Sequence, residues 1–433
     1  MKKISIIILS LFTISCVKTQ YDDYKVSMGN ADFSNYVSVG NSLTQGYQDG
    51  GMHNEFGQQD NSYPAIIAGQ MKLANPNLQF LQPTVPPLGQ GFMHLEYRDG
   101  ELEVIKAYDA DITNNDPTAI DDDPGWIAWG DTTIKYNNLG VSGIKLVNCL
   151  SGGKNSTINF NLLQTALNEN GRFLNFGDAA NPITYLDHIK RSNATFFTNW
   201  LGNNDVLGWS TEGGDNDSIE STPGLLLTEL SDLVEFRNKY DSILSAFSSM
   251  GAKGVCATLP DVTSIPYFNT VTLGAIGDEV WIREGADENV VRLATEDDLL
   301  LLTASDELAN GIGFIQSKPL PHTVVLDKDE INIVQTRTNE INNSIISLTS
   351  KYGFALADMN LFMKTLTNTG LSYDGIDFTP KYIEGGVFSL DGVHPNGKGY
   401  AVIANHFIRV INEFYGSNIP TVSIASYRGI TFP

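Results

Sequence analysis

The strongest constraint on the fold is an alternation of short apolar runs with longer helical patterns along most of the chain. Apolar runs bounded by turn residues predict strands over 35–39, 134–139, 194–201, 254–259 and 354–358. Apolar side chains at helical spacing predict helices over 225–250, 330–351 and 399–415. Repeated strand, helix, strand units imply right-handed crossovers and a mostly parallel sheet covered on both faces. The sequence therefore predicts a three-layer α/β/α, flavodoxin-like fold.

Two long segments, 80–131 and 263–325, do not fit a minimal sheet of this kind. Loops of such length in α/β proteins tend to be functional, so we expect insertions that decorate or cover a site rather than independent domains. In the first, Asp99-Gly100 between two strand-like stretches predicts a hairpin. The acidic run 121–123 lacks the glycine and glutamate of an EF-hand, which favours a solvated loop over a calcium site.

Composition limits the classes of partner. The chain has 433 residues, of which 42% are hydrophobic, and Asp plus Glu outnumber Lys plus Arg by 50 to 27. A negative field of this size repels phosphate backbones, so we expect no nucleic-acid partner. Cys149 and Cys256 could pair after export, but Cys256 lies in an apolar run where buried free thiols are common, and we expect no disulfide.

The N-terminus has the pattern of an export signal. Lys2 and Lys3 precede an apolar run over 4–14, and the small residue Ser15 stands before Cys16. The run is too short to span a bilayer, which takes about 20 residues. Residues 1–15 are therefore predicted to be a signal peptide, whose removal takes two lysines and changes the formal charge from -23 to -25.

The same stretch resembles the signal of a bacterial lipoprotein, which implies a lipid on Cys16 and a location in the cell envelope, as an outer-membrane lipoprotein. Thr13 departs from the Leu that is usual three residues before such a cysteine. The polar, aperiodic stretch 16–33 then reads as a tether. We expect the folded body to cover 34–418, followed by a C-terminal tail over 419–433.

Four polar stretches follow apparent strands of the predicted sheet: GNSLT with Ser42, NLGVSG with Gly143, GNND with Asn204, and DGVHP with Asp391 and His394. Each has an ordinary explanation alone, as a solvent-facing serine, a glycine turn, an Asx turn, or a loop Asp-x-x-His that could be half of a metal site. Ligands of such sheets bind beyond the carboxyl ends of the strands. Together, the four stretches supply a nucleophile, two oxyanion donors and a base.

In these motifs and their order the chain resembles the SGNH/GDSL hydrolase family over about residues 35–412. The resemblance implies Ser42 as nucleophile, His394 as its base and Asp391 as the residue that orients His394. It places the oxyanion hole at the backbone N–H groups of Ser42 and Gly143 and the side-chain amide of Asn204. It requires no metal and no organic cofactor.

One position departs from the family pattern. Asn41 stands where the family name has Asp, which removes a charge beside the serine but keeps a short hydrogen-bonding side chain. Since this position is not the acid of the triad, we expect activity to survive. The residue still leaves open whether a neighbouring carboxylate is needed to position the loop.

The resemblance implies a secreted, lipid-anchored serine esterase that forms an acyl-enzyme. Its substrate would be a small ester, an acyl lipid or an O-acetylated carbohydrate; the sequence predicts no oligomeric state. The alternative is a surface lipoprotein that binds glycan or lipid without catalysis, and Asn41 is its only support. The remaining histidines, His53, His94, His188, His322 and His406, are predicted to be structural. Trp126, Trp129 and Trp281 could line a substrate groove or serve in packing.

Overall fold

Strands and helices alternate along the chain. A computed structural model describes residues 24–89, 91–106, 133–150, 173–174, 183–214, 229–285 and 290–433. The strands are β1 (Tyr36–Gly40), β2 (Met93–Arg98), β3 (Glu101–Lys106), β4 (Phe196–Trp200), β5 (Lys253–Ala257), β6 (Trp281–Arg283), β7 (Val291–Leu293), β8 (Leu299–Leu300), β9 (Val325–Leu326), β10 (Ala355–Ala357), β11 (Leu371–Tyr373) and β12 (Ile376–Phe378).

The helices range from single turns to a 25-residue element. They are α1 (Ser42–Gln45), α2 (Tyr63–Ala74), α3 (Leu146–Cys149), α4 (Tyr185–Ser192), α5 (Asn204–Thr211), α6 (Leu233–Ser249), α7 (Pro266–Asn269), α8 (Leu273–Ile276), α9 (Ala304–Ala309), α10 (Lys328–Tyr352), α11 (Met359–Thr369) and α12 (Gly397–Tyr415). Short 3-10 segments cover Glu55–Asn61, Val262–Ser264, His322–Val324 and Ile424–Ser426.

The central sheet is parallel, with the order β1-β4-β5-β10. The strand predicted over 134–139 is reduced to a single bridge between Ser38 and Asn138. Its backbone still runs beside β1, because Ser38 N donates to Asn137 O and Leu139 N donates to Ser38 O, both at 2.8 Å. The segment that carries the predicted glycine motif is therefore fixed next to the strand that leads to the serine.

Helices cover both faces of this sheet. Phe197 of β4 stacks on Phe247 of α6, with ring centroids 3.9 Å apart. Trp200 points to the other face, where it contacts Phe407 of α12 and Tyr63 of α2. All residues of β1 and β4 are buried, which explains why these strands read as continuous apolar runs rather than alternating ones. The predicted three-layer α/β/α architecture is confirmed.

Two of the three predicted long helices agree closely with the structure. At the start of α10, Asp327 and Glu330 form a capping box, each side chain accepting the other's backbone N–H. The helix ends at Gly353, whose φ of 69° suits a residue without a Cβ. The helix predicted from 225 instead begins at Leu233, and the residues before 229 lie outside the described chain.

The predicted hairpin at Asp99-Gly100 is confirmed as β2 and β3. Both turn residues have positive φ, 52° and 88°, as a two-residue hairpin turn of this kind requires. The rest of this insertion from 107 to 132, including the acidic run and two of the predicted tryptophans, lies outside the described residues. The second insertion packs a small core of its own, with Ile282, Leu320 and Val325 at its centre.

The folded body begins earlier than predicted. Although 16–33 reads as a tether, Ser27 pairs with Asn418 in an antiparallel bridge. Phe33 is fully buried and packs edge to face on Phe196, the first residue of β4. This segment therefore belongs to the core at the edge where the strands begin. Its isolated apolar residues showed no periodicity that would have revealed the packing.

The predicted C-terminal tail, 419–433, also packs against the body. Ile419 and Ile424 are each 1% exposed and join the main core. Their burial continues the core past the end of α12, so the tail is a structural part of the domain at least to Ile424.

Cys149 and Cys256 are both buried and free, while Cys16 lies outside the described residues. No helix within the described residues is long and apolar enough to cross a membrane.

Candidate active site

Ser42 stands at the sharp turn that ends β1 and begins α1. The turn is tight because a Cβ at Gly40 would lie 1.9 Å from Thr44 Oγ1, so only glycine fits there. Ser42 is the first residue of α1 and is 7% exposed. The hydroxyl is thus fixed by backbone geometry at the carboxyl end of a central strand, where parallel sheets bind their ligands.

Asn41 has a structural role that needs no charge. Its Oδ1 accepts a hydrogen bond from Leu43 N at 3.2 Å and so caps α1. Its Nδ2 is buried and has no hydrogen-bond partner in the described structure. The departure from the family pattern therefore preserves the cap, and it gives no support to the non-catalytic alternative.

His394 bridges Ser42 and Asp391. His394 Nε2 lies 2.8 Å from Ser42 Oγ, and His394 Nδ1 lies 2.9 Å from Asp391 Oδ2. With a proton on Nδ1 donated to the carboxylate, Nε2 is free to accept the serine hydroxyl proton. The side chains of His394 and Asp391 are 13% and 11% exposed. Residues 352 positions apart thus form one continuous path for a proton.

Asp391 is held by hydrogen bonds to both of its oxygens. Oδ1 accepts from Val393 N and His394 N at 2.8 Å each, and from Ser389 Oγ at 3.0 Å. Oδ2 accepts from His394 Nδ1 and, at 3.1 Å, from Gly50 N. Burial opposes ionisation, but the charge of His394 and these hydrogen bonds outweigh it and hold the pKa of Asp391 below its usual value. The acid is therefore ionised at neutral pH.

The loop that carries Asp391 and His394 is also held by the second insertion. Tyr267 N donates to Gly392 O at 3.0 Å, and Leu302 N donates to Tyr267 O at 2.8 Å. Outside the insertion, Tyr382 OH donates to Leu390 O of the same loop. The second insertion thus contacts the loop that carries Asp391 and His394 through Tyr267.

Gly143 lies in a loop that packs directly on the serine helix. Ser142 N and Ser142 Oγ both donate to Gln45 Oε1 of α1, at 2.8 and 2.7 Å. Gly143 has φ +80°, and a Cβ built on it would meet nothing within 4 Å. Space is therefore open beside the Cα of Gly143.

Asn204 begins α5 and reaches the same loop. Asn204 Nδ2 donates to Ile144 O at 3.0 Å, one residue beyond Gly143. A side-chain amide has two N–H donors, and this bond uses one of them. The structure thus brings the segments of Ser42, Gly143 and Asn204 to one corner of the sheet.

Sequence reasoning missed a buried pair beneath this corner, Asp205 and Lys145. Asp205 is fully buried and accepts from Leu146 N at 3.1 Å and from Ser231 Oγ at 2.6 Å. Burial raises the pKa of Asp205 to about 6 and lowers that of the neighbouring Lys145. Asp205 ties the segment after Gly143 to α5. The GNND motif contained this signal, but an aspartate after a strand is also an ordinary turn residue.

Of the histidines predicted to be structural, none takes part in the hydrogen bonds described above for Ser42 and Asp391. Burial lowers the pKa of His53 and of His406 to about 4 each, so both are neutral at pH 7. His94 pairs with Glu96 in the hairpin at 2.7 Å. Over the described ranges, no group of three or more His, Cys, Asp or Glu side chains is arranged to hold a metal ion.

An apolar cavity lies beside the segments that carry Ser42 and His394. Its lining includes Leu43 and Val393, the chain neighbours of Ser42 and His394. Further apolar side chains complete the wall: Trp200, Ile265, Phe362, Met363 and Leu366. Such a lining suits an apolar group and offers little to a charged one.

Comparison with known proteins gives a match to one family. The family model described as GDSL-like Lipase/Acylhydrolase matches residues 36–407. A search of curated proteins finds no match.

Among solved structures, the chain is similar to Axe2, an acetylxylan esterase from Geobacillus stearothermophilus. The identity is 10% and the TM-score 0.37, over 88% of this chain and 96% of that chain. It is also similar to LAE5, an alpha/beta hydrolase enzyme from the metagenome of Lake Arreo, Spain, with 13% identity and a TM-score of 0.35 over the same shares of the two chains.

Proposed function

Because this chain belongs to the GDSL-like lipase/acylhydrolase family, and so is a serine hydrolase acting on ester bonds, we propose that it works through an acyl-enzyme on Ser42. The observation that carries the proposal is the unbroken chain of contacts from Ser42 Oγ to His394 and on to Asp391, at 2.8 and 2.9 Å. These are hydrogen-bond distances at each step of proton transfer.

In the first half-reaction, Ser42 Oγ attacks the ester carbonyl carbon while His394 Nε2 takes the hydroxyl proton. The carbonyl oxygen becomes an oxyanion, which the N–H groups of Ser42 and Gly143 and the second N–H of the Asn204 amide stabilise. The intermediate collapses when the bond to the alcohol oxygen breaks. The alcohol leaves with the proton from His394, and the acyl group stays on Ser42.

In the second half-reaction, water replaces the alcohol. His394 takes a proton from water, the hydroxide attacks the acyl carbon, and the same donors hold the second oxyanion. Collapse returns the proton to Ser42 Oγ and releases the carboxylic acid. Asp391 stays ionised throughout and stabilises the imidazolium that forms twice in each cycle.

We propose a carboxylic ester with an apolar acyl group as the substrate. The apolar cavity lined by Leu43 and Val393, the chain neighbours of Ser42 and His394, supports an acyl group longer than acetyl. An O-acetylated carbohydrate satisfies the same catalytic groups and is the competing substrate. A panel of aryl esters from acetyl to dodecanoyl distinguishes the two substrates. If the substrate has a long apolar acyl group, kcat/KM should rise with the length of the acyl chain; if it is an O-acetylated carbohydrate, it should not.

We also propose that the mature protein is a lipoprotein of the cell envelope, attached through Cys16. The N-terminal pattern of Lys2, Lys3 and the apolar run before Cys16 supports export and lipidation. Growth with an alkyne-tagged fatty acid should label the wild type and leave a Cys16→Ala variant unlabelled. Label on both proteins would contradict this assignment of the anchor.

The catalytic proposal is tested with the soluble form that begins near Tyr21. A fluorophosphonate probe should label Ser42, and the labelled peptide is identified by mass spectrometry. Ser42→Ala should lose the label and lower kcat by roughly 10⁵-fold or more, with no loss of thermal stability. Turnover by Ser42→Ala equal to the wild type would refute the assignment.

A further inference from the structure

The loop after the serine helix is bonded directly to the loop that carries the triad acid. Gly50 N donates to Asp391 Oδ2 at 3.1 Å, and Asp49 N donates to Ser389 Oγ at 2.9 Å. In the reverse direction, Leu390 N donates to Asp49 Oδ1 at 3.0 Å. The two loops are 340 residues apart in the chain, so these bonds are tertiary contacts that fix one loop against the other.

Ser389 is the centre of this contact. It is fully buried, and its Oγ accepts from Asp49 N while donating to Asp391 Oδ1 at 3.0 Å. A hydroxyl that accepts from one loop and donates to the carboxylate of the other fixes the distance between them. Asp49 also has φ 52°, a conformation that costs a non-glycine residue energy and that the surrounding bonds maintain.

We propose that Asp49 is a positioning residue for the proposed hydrolytic reaction: through Ser389 and Leu390 it holds Asp391 against His394, and its own carboxyl adds a second acidic group to the triad. The proposal rests on the roles proposed above for Asp391 and His394.

The surroundings of Asp49 support an electrostatic part of this role. Burial raises the pKa of Asp49 to about 7, the nearby Asp391 adds to the rise, and the Leu390 N–H, Arg428 and His394 oppose it. The side chain is 20% exposed, and its Oδ2 lies 3.9 Å from His53 Nε2. The titratable and charged groups that face Asp49 are His53, Tyr382, Asp391, His394, Tyr400 and Arg428.

Asp49 therefore changes charge in the pH range where a histidine base works. The charges of Asp49 and His394 interact, because His394 lowers the pKa of Asp49. An ionised Asp49 stabilises the imidazolium that forms in each half-reaction, so loss of its charge should change the pH profile of the reaction.

The first test is Asp49→Asn, which keeps the acceptor for Leu390 N and tolerates the left-handed φ but removes the charge. The acidic limb of kcat/KM for a short aryl ester should move to lower pH by roughly half a unit or more. The matched control is Asp306→Asn, which removes one charge from an exposed helix position. An acidic limb that stays within 0.1 unit of the wild type would overturn the electrostatic role.

The second test separates the hydrogen bonds from the charge. Ser389→Ala removes the bridge between the loops and leaves Asp49 in place, and Asp49→Gly removes the carboxyl while allowing the same φ. Each should lower kcat by roughly tenfold to a hundredfold with KM changed less than threefold, because a small displacement of Asp391 misaligns the base. Equal turnover in both variants and the wild type would overturn the positioning role.

A measurement independent of activity separates this inference from the function it rests on. In a Ser42→Ala background, NMR follows the N–H proton shared by His394 and Asp391 as the pH is varied. We expect its chemical shift to change in the Asp49→Asn variant and its signal to broaden in Ser389→Ala. If the wild type lacks turnover, the proposed function fails; if these NMR signals do not change, the role of Asp49 fails, whatever the activity.

Discussion

The two halves of the candidate site are built in opposite ways. In the proton-transfer half, every side-chain polar atom of Asp391 and His394 has a partner before any substrate arrives, from Ser42 Oγ to the N–H groups around Asp391. In the oxyanion half, open space lies beside Gly143, and Asn204 commits one of its two amide donors.

The difference follows from when each half is needed. A base must be aligned and in the right tautomer at the moment of attack, so its hydrogen bonds have to exist in the resting protein. The partner of the oxyanion donors exists only during the reaction, and donors satisfied in advance would have no capacity left for it. Asp205 fixes the segment after Gly143 against α5, and the second N–H of the Asn204 amide is left for the oxyanion in the proposed reaction.

Among the variants that test this comparison, Asp391→Asn is expected to lower kcat the most. The amide cannot stabilise the imidazolium and favours the wrong tautomer of His394, so kcat should fall by roughly 10⁴-fold. Steady-state kinetics with a short aryl ester measure the loss. Asp377→Asn, at an exposed position of β12, is the matched control. A fall of less than tenfold would show that another group supplies the acid.

A smaller effect is expected from Asn204→Ala in the oxyanion half. Loss of one donor should lower kcat by roughly 10²- to 10³-fold and leave KM nearly unchanged, because the bond forms only in the transition state. The neighbouring Asn203→Ala removes a bond to Trp200 O at 3.3 Å and serves as control. That variant should lower thermal stability more than turnover. Equal losses of kcat in the two variants would argue that Asn204 is structural.

Gly143→Ala tests the backbone donor. A Cβ there meets no atom within 4 Å, so the cost is the strain of a non-glycine residue at φ +80°, about 1 kcal/mol, together with a shifted N–H. We expect kcat to fall by roughly tenfold. Gly251 lies away from the site and also has a positive φ, +71°, with open space where a Cβ would stand. Gly251→Ala should therefore leave kcat unchanged. A similar loss in both would mean that strain alone accounts for it.

The smallest effect on turnover is expected from Glu330→Gln, outside both halves. Burial raises the pKa of Glu330 to about 8, so its stabilising contribution is complete below pH 4.5 and is lost as the pH rises through 8. Glutamine keeps an acceptor for Asp327 N and does not ionise. Between about pH 5 and about pH 9, the variant should therefore gain stability over the wild type, on the order of 1 kcal/mol in urea unfolding. Identical pH dependence of the two proteins would contradict this.

The alternation of strands and helices was enough to predict the layers of the fold, because buried strands and amphipathic helices leave strong periodic signals. The family predicted from the four motifs is confirmed by the matching family model. The Asp99-Gly100 hairpin was predictable for a local reason, since both residues must adopt positive φ. In each case the signal lies within a few neighbouring residues.

The parts that were missed depend on contacts between distant segments. Asp49 and Ser389 are ordinary loop residues in the sequence, and only the fold places them beside Asp391. Phe33 lies in a polar stretch, and its burial depends on the start of β4. The segment over 134–139 reads as a strand but pairs with β1 through a single bridge.

The early entry of the chain into the core has a mechanical consequence. The segment from Ser27 to Phe33 is fastened where the strands start, while Ser42 stands where β1 stops, about 17 Å away across five residues. A membrane that held the protein by residues preceding this segment would pull on one side of the sheet only. Ser42 would then lie on the side of the sheet that faces away from the lipid surface.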